Sequence, residues 1–78
     1  MPAVLIIGPY RFFFYSSDRS EPPHVHIERG SDEAKFWLDP VRLQFNSGFN
    51  RRELNRIKDL IQEHIEQLLS KWDDHFTD

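Results

Sequence analysis

From residue 49 to residue 78 the sequence contains neither proline nor glycine, and its apolar residues return at helical spacing. Leu54, Ile57, Leu60, Ile61, Ile65, Leu68, Leu69, Trp72 and Phe76 form one stripe, with His64 set among them. The start of the helix is well marked. Asn50 is a good N-cap residue, Glu53 stands three residues on as in a capping box, and Phe49 and Leu54 fit a hydrophobic staple across the cap. The pattern predicts one long amphipathic helix over residues 50–76. Any fold for this chain must supply a surface that buries so long a stripe.

The preceding segment supplies it as strands. "VLIIGPYRFFFY" reads as two short strands about the turn pair Gly8-Pro9. Phe12 and Phe14 face one way and Phe13 and Tyr15 the other, so this strand is expected to be covered on both sides. "HVHIE" alternates, with Val25 and Ile27 inward and His24, His26 and Glu28 outward. "RGSD" is a turn, and "EAKFWL" alternates again, with Ala34, Phe36 and Leu38 inward. The two read as an antiparallel hairpin with one wet face. A simple register places Lys35 and Trp37 beside His26 and His24. "DPVRLQF" adds a short extended edge, since Pro40 bars it from a central position. The Pro22-Pro23 pair stiffens the loop before His24 and is a candidate for a cis bond. The expected architecture is one α+β domain over residues 1–78: an antiparallel sheet of about four strands within residues 3–45, followed by one long C-terminal helix.

A helix of roughly 25 residues is about 38 Å long. Strands of five or six residues span only about 17–20 Å. The helix should therefore outrun its sheet, leaving Ile65, Leu68, Leu69, Trp72 and Phe76 as a surface for a partner, either a second copy or a cognate small protein. The bland alternative is that the aromatic first hairpin folds back over the helix end. Burial is scarce in any case, because a chain this short hides only about 60% of its unfolded surface. The sequence has no cysteine, which excludes disulfides and thiolate zinc sites and fits a reducing cytoplasm. The five apolar residues near the start are expected to be neither a signal peptide nor a membrane span. A net charge of −3 argues mildly against nucleic acid, yet it is unevenly spread. Residues 1–58 hold nine Lys/Arg against seven Asp/Glu, whereas residues 59–78 hold one against six. Acid on the helix end reads as a solvated face.

"EPPHVH", "AKFWLDP" and "GFNRREL" together resemble the prokaryotic family known as domain of unknown function 4160, over about Phe12 to Phe76. The resemblance implies a small protein, often encoded beside another small protein, in a toxin–antitoxin-like pair. It carries no biochemical activity over to this chain, and no cofactor is expected from the sequence.

The residues themselves offer three chemistries. His24 and His26, about 6.5–7 Å apart at Cα on one strand face, are candidates for the acid and base of an RNA-cleaving toxin. Arg29, Lys35, Arg51 and Arg52 are candidates for phosphate binding, and Trp37 for stacking on a base. The same His-X-His pair is a weaker candidate for two ligands of a metal ion, with Asp18, Glu21, Glu28 or Asp39 as the third. A non-catalytic protein-binding module, an antitoxin or adaptor, needs only the long helix and the exposed sheet. Plain structural roles stand beside each reading: a pair of polar residues on a wet strand, solvated helix arginines, and a His64 packed into the stripe. Arg52 and Arg56 are repulsive at their i,i+4 spacing.

Overall fold

The computed structural model describes residues 3–15 and 19–76. Five strands, β1 (Ala3–Ile7), β2 (Tyr10–Phe13), β3 (His24–Arg29), β4 (Asp32–Leu38) and β5 (Val41–Ser47), precede two helices, α1 (Arg51–Glu63) and α2 (Ile65–Phe76). The strands form one antiparallel sheet in the order in which they occur along the chain. The fold is α+β as expected, with five strands rather than about four and with two helices rather than one. Among the described residues the cis peptide bond is Asp39–Pro40, in the β4–β5 turn, and not at Pro22 or Pro23.

The alternation in the sequence places the residues. Phe12 pairs with Ile27, and Ile27 with Ala34; Val25 pairs with Phe36, and Phe36 with Leu43. These side chains share the face on which the helices lie, and all but Leu43, which stays exposed, close a core with Tyr10, Phe14, Leu38, Phe49, Ile57, Ile61, Leu68 and Trp72. The register slips once at each outer ladder, between Ala3 and Leu5 in β1 and between Lys35 and Phe36 opposite β5. The second slip leaves Gln44 as the extra residue, so Leu43 and Phe45 stand on opposite faces of the sheet.

The helix begins as its sequence dictates. Asn50 Oδ1 accepts a hydrogen bond from the backbone N–H of Glu53 at 2.8 Å. The reciprocal arm of a capping box is replaced, because the Glu53 carboxylate turns to Tyr10 and Arg29 instead. Before the cap, the Asn46 side chain holds Phe49 in both directions, donating to its carbonyl at 3.0 Å and accepting from its N–H at 3.1 Å. Gly48 has φ of 108°, and a Cβ there would lie 2.1 Å from Asp32 Oδ1. Only glycine fits that corner without movement.

The long helix breaks at His64. Its backbone (φ −113°, ψ 20°) leaves the helical region, and its N–H is shared between the carbonyls of Leu60 and Ile61 at 3.1 and 3.2 Å. The imidazole Nδ1–H also donates to the Leu60 carbonyl, at 2.8 Å. A side chain inserted into the backbone ladder is a known cause of bending. Thirteen and twelve residues rise about 20 and 18 Å, each a match for one strand. The stripe is therefore not left overhanging. Leu68 and Trp72 are buried in the chain's own core, and Ile65, Leu69 and Phe76 pack partly buried against it. Phe14 closes that end, meeting Trp72 edge-on at 5.1 Å and Phe76 at 6.1 Å.

Candidate functional site

The sheet face opposite the one carrying Phe12, Val25 and Phe36 is laid out in rungs. Arg11, Glu28 and Glu33 stand abreast, then Phe13, His26, Lys35 and Phe45, then His24 and Trp37. His24 and His26 thus leave the same side of β3, as the alternation requires, and their ring centroids are 5.2 Å apart. Lys35 and Trp37 lie beside them in the expected register.

The face is nevertheless not wet at the histidines. His24 is 0% exposed and His26 8% exposed. The covering groups come from distant parts of the chain. Phe13 stacks on His26 at 5.4 Å, the Tyr15 ring meets it edge-on at 4.6 Å, and His24 lies 5.1 Å from Trp72 and 5.5 Å from Trp37. Glu21 comes over from the loop before β3. Its carboxylate accepts from Lys35 Nζ at 2.6 Å and stands 3.8 Å from His24 Nδ1. A second carboxylate, Glu33, stands 3.9 Å from His26 Nδ1. The Pro22 carbonyl lies 2.9 Å from His24 Nδ1. A carbonyl only accepts, so Nδ1–H is the donor in this contact. The Lys35 ammonium is held over Trp37, 4.9 Å from the ring centre.

The arginines are elsewhere. Arg29, at the far end of β3 and on the helix side, pairs with Glu53 and lines a hollow of about 250 Å³ together with Tyr10, Asn50, Arg52 and Arg56. Arg51 points to a separate hollow of about 450 Å³ beside β5, where Arg42 and Lys58 surround Phe36, Leu43, Phe49 and Leu54. The sequence-predicted phosphate group is therefore divided: Lys35 and Trp37 stay with the histidines, whereas Arg29 and Arg52 join one hollow and Arg51 another. Tyr10, Glu53 and Arg56 were not singled out by sequence reasoning as a site. The i,i+4 spacing of Arg52 and Arg56 was the available signal, since it sets both on one face of α1 and turns Arg51 away.

Within the first hollow, Glu53 Oε2 accepts from the Tyr10 hydroxyl at 3.0 Å and from Arg29. Burial favours the neutral form of Glu53, but the hydrogen bonds from Tyr10 and Arg29 and the charges of Arg29 and Arg56 outweigh it and hold its pKa below the usual value. Burial, with the bond to Glu53, pushes the Tyr10 phenol up. The hydrogen bond to Glu53 raises Arg29 further.

For metal binding, no group of three or more His, Asp or Glu is arranged to hold an ion among the described residues, and Asp18 lies outside them. No helix among the described residues is long and apolar enough to cross a membrane.

At the open edge of the sheet, β5 shows six of its seven residues to solvent. Leu43 is 41% and Phe45 48% exposed, one on each face. Among known families, the model described as Domain of unknown function (DUF4160) matches residues 10–73, from the first residue of β2 well into α2. No curated protein and no solved structure matches the chain.

Proposed function

This chain belongs to the family described as Domain of unknown function (DUF4160), and from that premise we propose that it is a non-catalytic protein-binding component of a toxin–antitoxin-like pair, holding its partner along β5. The observation that carries this reading is the open β5 edge. An edge strand offers a row of backbone donors and acceptors to an added strand, and natural sheets normally blunt or cover it. Here the edge is seven residues long and flanked by exposed Leu43 and Phe45. The neighbouring hollow has an apolar floor and a rim of Arg42, Arg51 and Lys58 with no carboxylate. That combination suits an extended segment carrying apolar residues and acidic neighbours. The partner to test is the protein encoded beside this one. Co-expressed, the two should elute as one complex, and Phe45→Asp or Leu43→Asp should release the partner while leaving this chain folded. Absence of a complex with that protein, or a complex indifferent to both substitutions, would sink the reading.

One observation favours a second reading, RNA cleavage by the histidine pair: His24, His26, Lys35 and Trp37 do share a face. The burial of both rings and the engagement of Lys35 by Glu21 weigh against it, because an acid or base must reach the proton it moves. Its test is growth arrest and RNA decay on expression of the chain alone, compared with His26→Ala. RNA decay that His26→Ala removes would favour it over the partner reading.

A further inference from the structure

We infer that the hollow bounded by Arg29, Arg52 and Arg56 is a binding site for a terminal phosphate group, either free phosphate or the head of a phosphate monoester. This inference is independent of the β5 reading. The hollow, of about 250 Å³, is lined by three arginines, Arg29, Arg52 and Arg56, and by a single acidic residue, Glu53. Glu53 is already engaged by Tyr10 and Arg29, and it fixes Arg29 in place from the β3 side. Arg52 and Arg56 face the same opening from successive turns of α1. Like charges at that spacing repel, and no second carboxylate lines the hollow to relieve them. An anion between them would.

The class of anion follows from charge and shape. Three arginines and one glutamate leave a formal surplus of two positive charges around the hollow. A phosphate monoester carries about −1.5 to −2 at neutral pH and presents three terminal oxygens, whereas a phosphodiester or a carboxylate carries one charge. Guanidinium forks bind such oxygens in pairs, which ammonium groups cannot do. The positive end of the thirteen-residue helix α1 lies at the same mouth, marked by Asn50. The volume falls short of the roughly 300 Å³ at which pockets for whole small molecules begin. It therefore suits a head group, either free inorganic phosphate or the 5′-phosphate of a nucleic acid whose remaining length stays outside.

Calorimetric titration of the full chain would use inorganic phosphate, a short 5′-phosphorylated oligoribonucleotide, and the same oligomer with a 5′-hydroxyl. Saturable one-site binding of at least one phosphorylated probe is expected, weakened about tenfold or more by Arg52→Gln with Arg56→Gln, since each removes charge-assisted hydrogen bonds. Both arginines are exposed, so the double variant should keep the wild-type melting temperature. Lys71→Gln, which removes one charge on α2 away from the hollow, should leave binding unaltered. Inorganic phosphate binding as tightly as the phosphorylated oligomer assigns the site to free phosphate, whereas an oligomer about tenfold tighter assigns it to a chain end. The inference is overturned if neither phosphorylated probe saturates, if the 5′-hydroxyl oligomer binds as well as its phosphorylated form, or if Lys71→Gln weakens binding as much as the arginine pair.

Discussion

Asp32 and Gly48 are locked face to face: the carboxylate at the head of β4 occupies the space that any side chain at residue 48 would need. Gly48→Ala therefore meets two penalties, the collision with Asp32 and a positive φ that an L side chain rarely adopts. A loss of about 1–3 kcal/mol is expected in urea unfolding. In an Asp32→Ala background the loss should shrink, because the Oδ1 and Cγ contacts are gone, but it should not vanish, because the backbone strain stays. Equal losses in both backgrounds would show that the contact is unimportant.

Trp72 and Leu68 act as core residues of the single chain. Leu68→Ala should cost about 2–5 kcal/mol and Trp72→Ala about 3–5 kcal/mol, as for other large-to-small changes in closed interiors. The losses should not vary with protein concentration. A midpoint that moves with concentration would mean that these side chains stabilise an assembly instead.

Glu53 gives the fold a pH-dependent element. Its folded-state pKa lies below the ordinary value of 4.5, so its ionised form favours folding. That contribution is present in full above the ordinary value and fades as pH falls from there through the lowered one. Tyr10 behaves in the opposite sense. Its pKa lies above 10.0, so its contribution holds below that pH and is lost as pH rises beyond it. The stability difference between wild type and Glu53→Gln should accordingly be flat near neutrality and narrow in acid. That between wild type and Tyr10→Phe should narrow in strong alkali, and also in acid, because part of it is the bond to ionised Glu53. A Glu53→Gln difference that widens in acid would contradict the assignment.

The four histidines should react with diethyl pyrocarbonate in order of access. His75 is exposed, His64 half-buried, and His26 and His24 closed over. Peptide mapping by mass should find His75 labelled first and His24 last. Early labelling of His24 would mean that the cover formed by Trp37 and Trp72 opens readily.

Much of this architecture was legible because it is local. The hairpin register that sets His24 opposite Trp37 and His26 opposite Lys35 follows from period-two alternation about one turn. The Asn50 cap follows from residue type and spacing. The misreadings share a different cause. The outward face of β3 was expected to be wet, but Tyr15 and Trp72 reach it from other elements and Glu21 folds over it from the preceding loop. The bend at His64 has no proline or glycine to announce it; a histidine in the stripe looks like any other half-buried helical residue until its ring bonds the Leu60 carbonyl. Arg51 and Arg52 are neighbours in sequence and were read together, yet consecutive helix positions diverge by about 100°, which sends them to separate hollows.

The extra residue at Gln44 has a bearing on what could be recognised. In β4, the consecutive residues Lys35 and Phe36 stand opposite Phe45 and Leu43. A regular strand docking on the outer side of β5 would meet the same two side chains with two adjacent residues of its own. The matching segment should then be betrayed by a doublet of neighbouring hydrophobes beside acid, and not by the every-other-residue rhythm that sheet-forming peptides usually display.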